Sequence, residues 1–235
     1  MTPRTHHHRL PARLRRPVSS VRTLKILGWV PAWIWRPLGE LVGVLLAWRP
    51  SRPVRQWQLN YQVITGRPPS RATTRAGIRS WLRSTMDSLQ LMRWSPQRVR
   101  KTVVVDDRWS RLLQTLDGGG VVVALPHMGS WDLAGAFGSL YGIRLSTVAE
   151  ELPAGQFEYF RDLRTQFGMT IYSHRDTAAL ANLRADLRRG QLIGLIADRD
   201  FTRHGVPVLW RTGSGPIPVT MPQGPAALAQ ELQAP

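Results

Sequence analysis

The sequence predicts an α/β domain with a central, mostly parallel or mixed sheet flanked by helices, preceded by a helical segment at a membrane interface. Two stretches, at 121–125 (VVVAL) and 192–197 (LIGLIA), are continuously apolar, as is typical of strands buried on both faces of a parallel sheet. Segments with helical periodicity lie between the strand candidates, and this alternation of strand and helix indicates an α/β sheet.

The first half of the chain reads as helical and falls into three parts. Residues 1–22 form a basic arm without apolar periodicity, which we expect to be disordered. Residues 23–66 form an apolar and basic helical segment for membrane association, broken near Pro31 or Pro37 because proline disrupts a helix. The breaker GRPP at 66–69 ends this segment, and residues 67–235 form the α/β domain, which begins with an amphipathic helix over 73–94.

In the second half, short apolar runs alternate with helical patterns. We predict strands at 103–105, 121–125, 145–149, 170–172 and 192–197, and helices at 107–116, 131–141, 157–167 and 177–189. In such sheets, ligands bind beyond the carboxyl ends of the strands. Residues that follow a strand are therefore the first candidates for a functional site.

The net charge of +17 is concentrated at the N-terminus, where residues 1–86 carry sixteen Lys or Arg and one acid, Glu40. This charge indicates a polyanionic partner, either nucleic acid or an anionic bilayer. The bases lie beside an apolar stretch, 23–48, that holds four tryptophans. Tryptophan and arginine next to apolar residues are typical of a headgroup interface, so we predict a membrane surface and no nucleic acid as the partner.

Two other interpretations of the apolar stretch remain open. A membrane-spanning helix needs roughly 20 uninterrupted apolar residues, and this stretch is interrupted by charges and prolines at Lys25, Pro31, Arg36, Pro37 and Glu40. An interfacial helix pair is therefore favoured over a span. Alternatively, the tryptophans pack on the core of the domain.

The absence of cysteine excludes disulfides, thiolate metal sites and cysteine nucleophiles. Three adjacent histidines, His6, His7 and His8, lie in the basic arm without carboxylate partners. We therefore predict no metal site.

The chemistry-bearing motif is the sequence PHMGSWD at 126–132, immediately after a predicted buried strand. A neutral imidazole at His127 suits the removal of a proton from an alcohol, because its pKa lies near working pH. A carboxylate on the other ring nitrogen fixes the tautomer and stabilises the imidazolium, and Asp132 is the candidate. Gly129 allows the backbone to turn between them. The alternative is a structural histidine.

The block HMGSWD resembles the His-x4-Asp block of the lysophospholipid, glycerolipid and lipid A acyltransferase superfamily. Within it, the chain looks most like the phosphatidylinositol mannoside acyltransferases of the lipid A lauroyl-acyltransferase-like branch. Four further stretches carry the resemblance: VAE at 148–150, FRDLR with FGM at 160–169, ADRDFTRHG at 197–205 and MPQGPAALA at 221–229.

The resemblance implies an α/β acyltransferase domain and a set of site residues. His127 is the implied base that deprotonates the acceptor hydroxyl, and Asp132 orients it. The implied substrate-binding residues are polar groups around the acceptor, Glu150 and Arg164, and the segment near the acyl and sugar groups, Asp198, Arg199 and Asp200.

These substrate-binding residues also have plainer interpretations. Glu150 and Glu151 could form a solvated pair, and Arg164 could be a surface charge. The aspartates at 198 and 200 could form a local salt-bridged turn with the arginine between them, which is worth little energetically.

The resemblance also implies the substrates and the location. The donor is acyl-CoA, and the acceptor is an anionic membrane glycolipid, with a mannose hydroxyl of a phosphatidylinositol mannoside as the implied site. No cofactor is implied. The implied location is peripheral, on the cytoplasmic face of the inner membrane.

The family's domain continues past the position that matches Pro235, so we expect a C-terminally truncated domain. A catalytically inactive, truncated lipid-binding relative of the same family is therefore the alternative function.

Overall fold

The computed structural model describes residues 20–152, 155–200 and 204–235. In chain order these residues form α1 (Val21–Trp29), α2 (Ala32–Trp48), α3 (Arg52–Thr65), α4 (Arg71–Gln90), a 3-10 turn (Leu91–Arg93), α5 (Pro96–Thr102), α6 (Arg108–Asp117), β1 (Val121–Leu125), α7 (Trp131–Ser139), β2 (Leu145–Ala149), α8 (Gln156–Thr165), β3 (Met169–Ser173), α9 (Ala179–Arg188), β4 (Leu192–Ile196), β5 (Val206–Thr212), β6 (Gly215–Met221) and α10 (Gly224–Leu232).

The central sheet has four parallel strands in the order β1-β4-β2-β3. The prediction of an α/β fold with a mostly parallel sheet is thus confirmed. A parallel neighbour requires a crossover, and α7, α8 and α9 occupy the connections between successive strands of this sheet. β5 and β6 form a separate antiparallel hairpin.

Helices pack on both faces of the sheet. Ile193 of β4 is fully buried in a cluster with Leu183 and Leu187 of α9 and Leu228 of α10. A second cluster joins α7 to α5 and the 3-10 turn, through Ala136, Phe137, Leu91 and Val99. The second cluster fixes α7, and with it the loop that carries His127.

The N-terminal segment is a bent pair of helices. α1 and α2 meet at 113°, and the break falls at Pro31, whose ring starts α2; Pro37 lies inside α2. Trp29, Trp33 and Trp48 are 69%, 77% and 64% exposed, so the interpretation that these tryptophans pack on the core is wrong. Trp35 does pack, against the cluster that joins α1 to α4.

Of the described helices, none is long and apolar enough by itself to cross a membrane; α1 and α2 together meet the test by length and composition only. Residues 1–19 of the predicted basic arm lie outside the described residues, and α1 begins at Val21. The histidine triplet also lies outside the described residues.

The predicted strand at 103–105 is wrong. Val103 ends α5 as its C-cap, and Val104 is 93% exposed in an extended link to α6. Its β-branched residues favour an extended backbone, but they have no neighbouring strand. The hairpin β5–β6 and the helix α10 were not predicted; the hairpin contains Pro207, Pro216 and Pro218, a residue type that is uncommon in strands.

Candidate active site

His127 lies in the loop between β1 and α7. Gly129 in this loop has a φ of 71°, the left-handed region that glycine adopts without a Cβ penalty, so the chain turns sharply there. Ser130 then caps α7, because its hydroxyl oxygen accepts a hydrogen bond from the Leu133 backbone N–H at 3.3 Å. The loop thus leaves the carboxyl end of β1 and enters a helix whose first residue is Trp131.

The neighbouring strand β4 brings Asp198 to His127. Leu125 pairs with Ile196 at the end of the β1–β4 ladder. Beyond it, the Ala197 N–H donates to the Leu125 carbonyl at 2.8 Å. Because parallel strands advance in step, the same register places Asp198 beside His127.

Asp198 holds His127 through two hydrogen bonds. The His127 backbone N–H donates to Oδ2 of Asp198 at 2.7 Å, and Nδ1 of the ring lies 2.5 Å from Oδ1. Burial by itself raises the pKa of Asp198, but the hydrogen bonds and the charge of His127, with a backbone hydrogen bond, together hold the pKa below its ordinary value. The carboxylate therefore stays ionised and occupies Nδ1, which leaves Nε2 as the ring nitrogen able to accept a proton.

Two further contacts fix the loop around this pair. The Trp131 ring meets the His127 ring edge-on, with centroids 5.3 Å apart, and its Nε1 donates to the Pro126 carbonyl at 3.2 Å. The Ser84 hydroxyl of α4 donates to the Gly129 carbonyl at 3.2 Å. The imidazole is therefore set in position before any substrate arrives.

Asp132 has a different partner from the one predicted. It is 5% exposed in the first turn of α7 and accepts a hydrogen bond from Nε of Arg164 at 2.7 Å. The side chain of Arg164, on α8, is 20% exposed, so it is not a mere surface charge. The prediction that Asp132 holds the ring of His127 is therefore not what the structure has: Asp132 ties α7 to α8, and Asp198 takes the ring Nδ1.

A cavity of about 900 Å³ opens beside His127. Apolar side chains from all four parallel strands and from α6 form most of its wall. It extends along the strands from His127, past their carboxyl ends, to Leu145 and Leu192 at their amino ends. At about 3.3 Å per residue, five-residue strands make this path roughly 13 Å long beyond the loop.

The cavity brings most of the predicted site residues together. Its wall includes His127, Asp132, Glu150, Arg164 and Arg199. The side chain of Asp200 lies elsewhere: a Cβ on Gly205 would lie 2.0 Å from its Oδ2, so the carboxylate abuts the start of β5.

The two neighbouring glutamates have different environments. Glu151 accepts a hydrogen bond from the Ser173 hydroxyl at 2.6 Å and pairs with Arg175 at 3.3 Å. Glu150 is exposed and lines the cavity. The two are thus not a single solvated pair.

Sequence reasoning missed His174 as a cavity residue. It follows β3 directly, and its Nδ1 accepts a hydrogen bond from the Glu151 N–H at 3.0 Å. The sequence contains a signal for this residue, because His174 follows a predicted strand of the parallel sheet just as His127 does. Among the described residues, no group of His, Asp and Glu is placed to hold a metal ion.

Comparison with known proteins gives curated relatives named phosphatidylinositol mannoside acyltransferase. The protein from Mycobacterium tuberculosis (strain ATCC 25618 / H37Rv) is 38% identical over 120 residues, which is 50% of this chain and 37% of that protein. The protein from Mycolicibacterium smegmatis (strain ATCC 700084 / mc(2)155) is 32% identical over 190 residues, 76% of this chain and 60% of that protein. The chain thus spans between about a third and three fifths of the length of these relatives.

A family of proteins matches almost the whole chain. Its description is bacterial lipid A biosynthesis acyltransferase, and the match covers residues 12–234. This span includes the His127 loop, the Asp198 segment and every residue that lines the cavity. The chain therefore belongs to the bacterial lipid A biosynthesis acyltransferase family.

Proposed function

We propose that this chain is an O-acyltransferase that moves a long-chain fatty acyl group from acyl-CoA to a hydroxyl of a membrane glycolipid. The acceptor we propose is a mannose hydroxyl of a phosphatidylinositol mannoside, after the names of the relatives. The observation that carries the proposal is an oriented imidazole, His127, at the mouth of a large apolar cavity.

The cavity supports a long aliphatic substrate. Its volume of about 900 Å³ is at the upper end of the roughly 300–1,000 Å³ that is usual for small-molecule pockets. Because its wall is mostly apolar, an acyl chain gains the free energy of leaving water there. The polar residues gather at the end near His127, where the thioester carbonyl would lie.

The proposed reaction needs one base. Nε2 of His127 accepts the proton of the acceptor hydroxyl as its oxygen bonds to the thioester carbonyl carbon. The tetrahedral intermediate then expels the CoA thiolate as the carbon–sulfur bond breaks, and the imidazolium returns the proton to sulfur. Asp198 stabilises the imidazolium through Nδ1, a role we assign to it in place of Asp132.

The polar residues of the cavity divide into two groups. Asp132 and Arg164 act as a buried pair that fixes α7 and α8 around the acyl site. Glu150, His174 and Arg199 line the cavity and would contact the acceptor hydroxyls or the donor thioester. No metal or redox cofactor takes part in the proposed reaction.

The N-terminal helices support a membrane-bound substrate. Exposed Trp29, Trp33 and Trp48 stand in the part of the sequence that carries most of the positive charge. Amphipathic rings next to arginine favour an anionic headgroup interface. We propose peripheral association with the cytoplasmic face of the inner membrane.

The test feeds labelled palmitoyl-CoA and a mannosylated phosphatidylinositol to the full chain. His127→Ala runs alongside, with Arg111→Gln, an exposed residue of α6, as the matched control. We expect label in the lipid from the wild type and the control but not from His127→Ala. If folded wild-type protein transfers no more label than His127→Ala, the catalytic proposal fails, and the alternative of an inactive lipid-binding relative becomes the better explanation.

A further inference from the structure

A second cleft lies between α2, α4 and α5. Its volume is about 460 Å³, and it shares no lining residue with the active-site cavity. We call it the arginine cleft. Its wall consists of Trp35, Arg36, Gly39, Glu40, Arg79, Leu82, Arg83, Asp87, Trp94, Arg98 and Thr102.

The charges in the wall are unequal, with four arginines against two carboxylates. One carboxylate is already engaged from outside the cleft: Glu40 accepts hydrogen bonds from Arg75 at 2.7 and 3.0 Å, and Arg79 joins it at 3.3 Å. The other three arginines therefore face a single carboxylate, Asp87.

Asp87 does not neutralise these arginines through hydrogen bonds. Arg83, Arg98 and Arg36 act on it by charge, but within the described part of the chain no hydrogen bond joins it to any of them. Burial raises the pKa of Asp87 in spite of these three cations. The guanidinium groups of these arginines thus keep N–H donors that do not bond to the carboxylate of Asp87.

The aromatic walls hold two guanidinium groups in place. The Cζ atom of Arg98 lies 3.9 Å from the ring centroid of Trp94, and that of Arg36 lies 5.8 Å from Trp35. A guanidinium stacked on a ring keeps its N–H edge available for an oxyanion. The Nε1 atoms of both tryptophans are buried without an acceptor in the described structure, so the walls hold more donors than acceptors.

We propose that the arginine cleft binds a phosphate ester. Phosphate oxygens accept several hydrogen bonds and donate none when ionised, and arginine forks bind them bidentately. Two sources offer this group: the headgroup of an anionic phospholipid and a soluble phosphate. The lipid source rests on the proposed membrane association, since α2 forms one wall of the cleft and exposes Trp33 and Trp48.

The experiment compares Arg83→Gln/Arg98→Gln with Arg111→Gln/Arg188→Gln, which removes the same charge outside the cleft. One arm measures sedimentation with phosphatidylglycerol–phosphatidylcholine vesicles and with pure phosphatidylcholine vesicles. The other titrates inorganic phosphate and glycerol 3-phosphate by calorimetry. We expect the cleft variant to bind at least about tenfold more weakly, because it loses charge-assisted hydrogen bonds to the phosphate oxygens. The control should lose about twofold or less, because its two arginines act on the ligand only through screened charge.

The variant Asp87→Asn should change the affinity for phosphate in the opposite direction. It removes the carboxylate that competes with a bound phosphate, so we expect tighter binding than in the wild type. Asp117→Asn, an exposed residue at the end of α6, is its matched control. Thermal unfolding of each variant checks that the fold is retained.

The outcomes distinguish the proposal for the arginine cleft from the proposed membrane association. Loss confined to the phosphatidylglycerol vesicles assigns the cleft to a lipid headgroup, and loss in the soluble arm assigns it to a soluble phosphate. If the wild type binds no vesicles, the proposed membrane association fails while the soluble arm still tests the cleft. Equal binding by the cleft and control variants in both arms overturns the inference.

Discussion

Nδ1 of His127 lies 2.5 Å from Oδ1 of Asp198, although 71 positions separate the two residues. Adjacent parallel strands, β1 and β4, end side by side and place the pair at the same edge of the sheet. The contact fixes the ring tautomer, because a carboxylate at Nδ1 leaves the lone pair of Nε2 available to a substrate hydroxyl.

The first prediction concerns this contact. Asp198→Asn replaces the carboxylate by an amide that cannot stabilise an imidazolium, so we expect kcat to fall by about 10²–10⁴ with little change in KM for acyl-CoA. Steady-state kinetics with labelled palmitoyl-CoA measures both constants. Asp162→Asn, an exposed acid on α8, should keep the wild-type rate. A change in KM alone in Asp198→Asn would contradict the assigned role.

The second prediction separates Asp132 from Asp198. Removing one partner of a buried ion pair leaves an uncompensated charge, which costs about 3–5 kcal/mol. We therefore expect Arg164→Met to lower the free energy of unfolding by about 3 kcal/mol, as measured by urea denaturation. The double variant Asp132→Leu/Arg164→Met should recover much of this loss. If the double variant is as unstable as the sum of the single variants, the pair does not act as a unit.

The sequence was sufficient to predict β1, β4 and the helices between them, because buried strands and amphipathic helices have distinct periodicities. It did not reveal which strands are neighbours, since β4 follows β1 only after two other strands. Asp132 is close to His127 in sequence, whereas Asp198 is close in space. The carboxylate that hydrogen-bonds the His127 ring is therefore Asp198, for which the sequence predicted no contact with His127.

The hairpin β5–β6 was harder to predict for a different reason. No residue of its two strands is fully buried, and Pro207, Pro216 and Pro218 lack the backbone N–H that a strand donates to its neighbour, so the sequence is not typical of strands. Its position depends on a close approach to α3, where a Cβ on Gly213 would lie 2.3 Å from the Thr65 carbonyl carbon. Such a contact between distant segments has no local sequence signal.

The third prediction tests whether the active-site cavity holds the acyl chain. A Cβ on Gly135 would lie 2.4 Å from Sδ of Met169, and both residues line the cavity. Gly135→Ala should push the methionine side chain into the cavity and lower transfer from palmitoyl-CoA about tenfold more than transfer from octanoyl-CoA. Adding Met169→Ala should restore the longer substrate.

The control for the third prediction is Gly224→Ala, because a Cβ at that position meets nothing within 4 Å. It should leave both rates unchanged. Equal losses for the two chain lengths in Gly135→Ala would show that the variant perturbs the fold and not the acyl site.

The fourth prediction concerns the exposed tryptophans of α2. Trp33→Ala/Trp48→Ala removes two rings that are 77% and 64% exposed, and with them the apolar area that would enter the headgroup region. We expect about tenfold weaker sedimentation with anionic vesicles. Trp210→Ala, on β5, should change little. Salt should weaken the remaining binding, because the attraction between basic residues and anionic lipid is screened.

The last prediction uses a buried polar group beneath the sheet. Asp186 is 2% exposed, and its Oδ2 accepts hydrogen bonds from the Ser146 hydroxyl at 2.6 Å and the Tyr172 hydroxyl at 2.8 Å. Burial, together with the Asp186 carboxylate, raises the pKa of Tyr172 to about 12. The neutral phenol is therefore favoured in the folded protein, whereas the unfolded chain ionises near its ordinary pKa of about 10.

Between these two pKa values the unfolded chain has lost the phenol proton and the folded protein retains it. Since stability falls with pH wherever the folded state binds more protons, this contribution is complete below pH 10 and is lost between about pH 10 and 12. Urea midpoints measured from pH 8 to 12 should fall more steeply in the wild type than in Tyr172→Phe. Tyr141→Phe, at an exposed tyrosine, should follow the wild-type slope. Parallel slopes for the wild type and Tyr172→Phe would show that the phenol is not linked to folding.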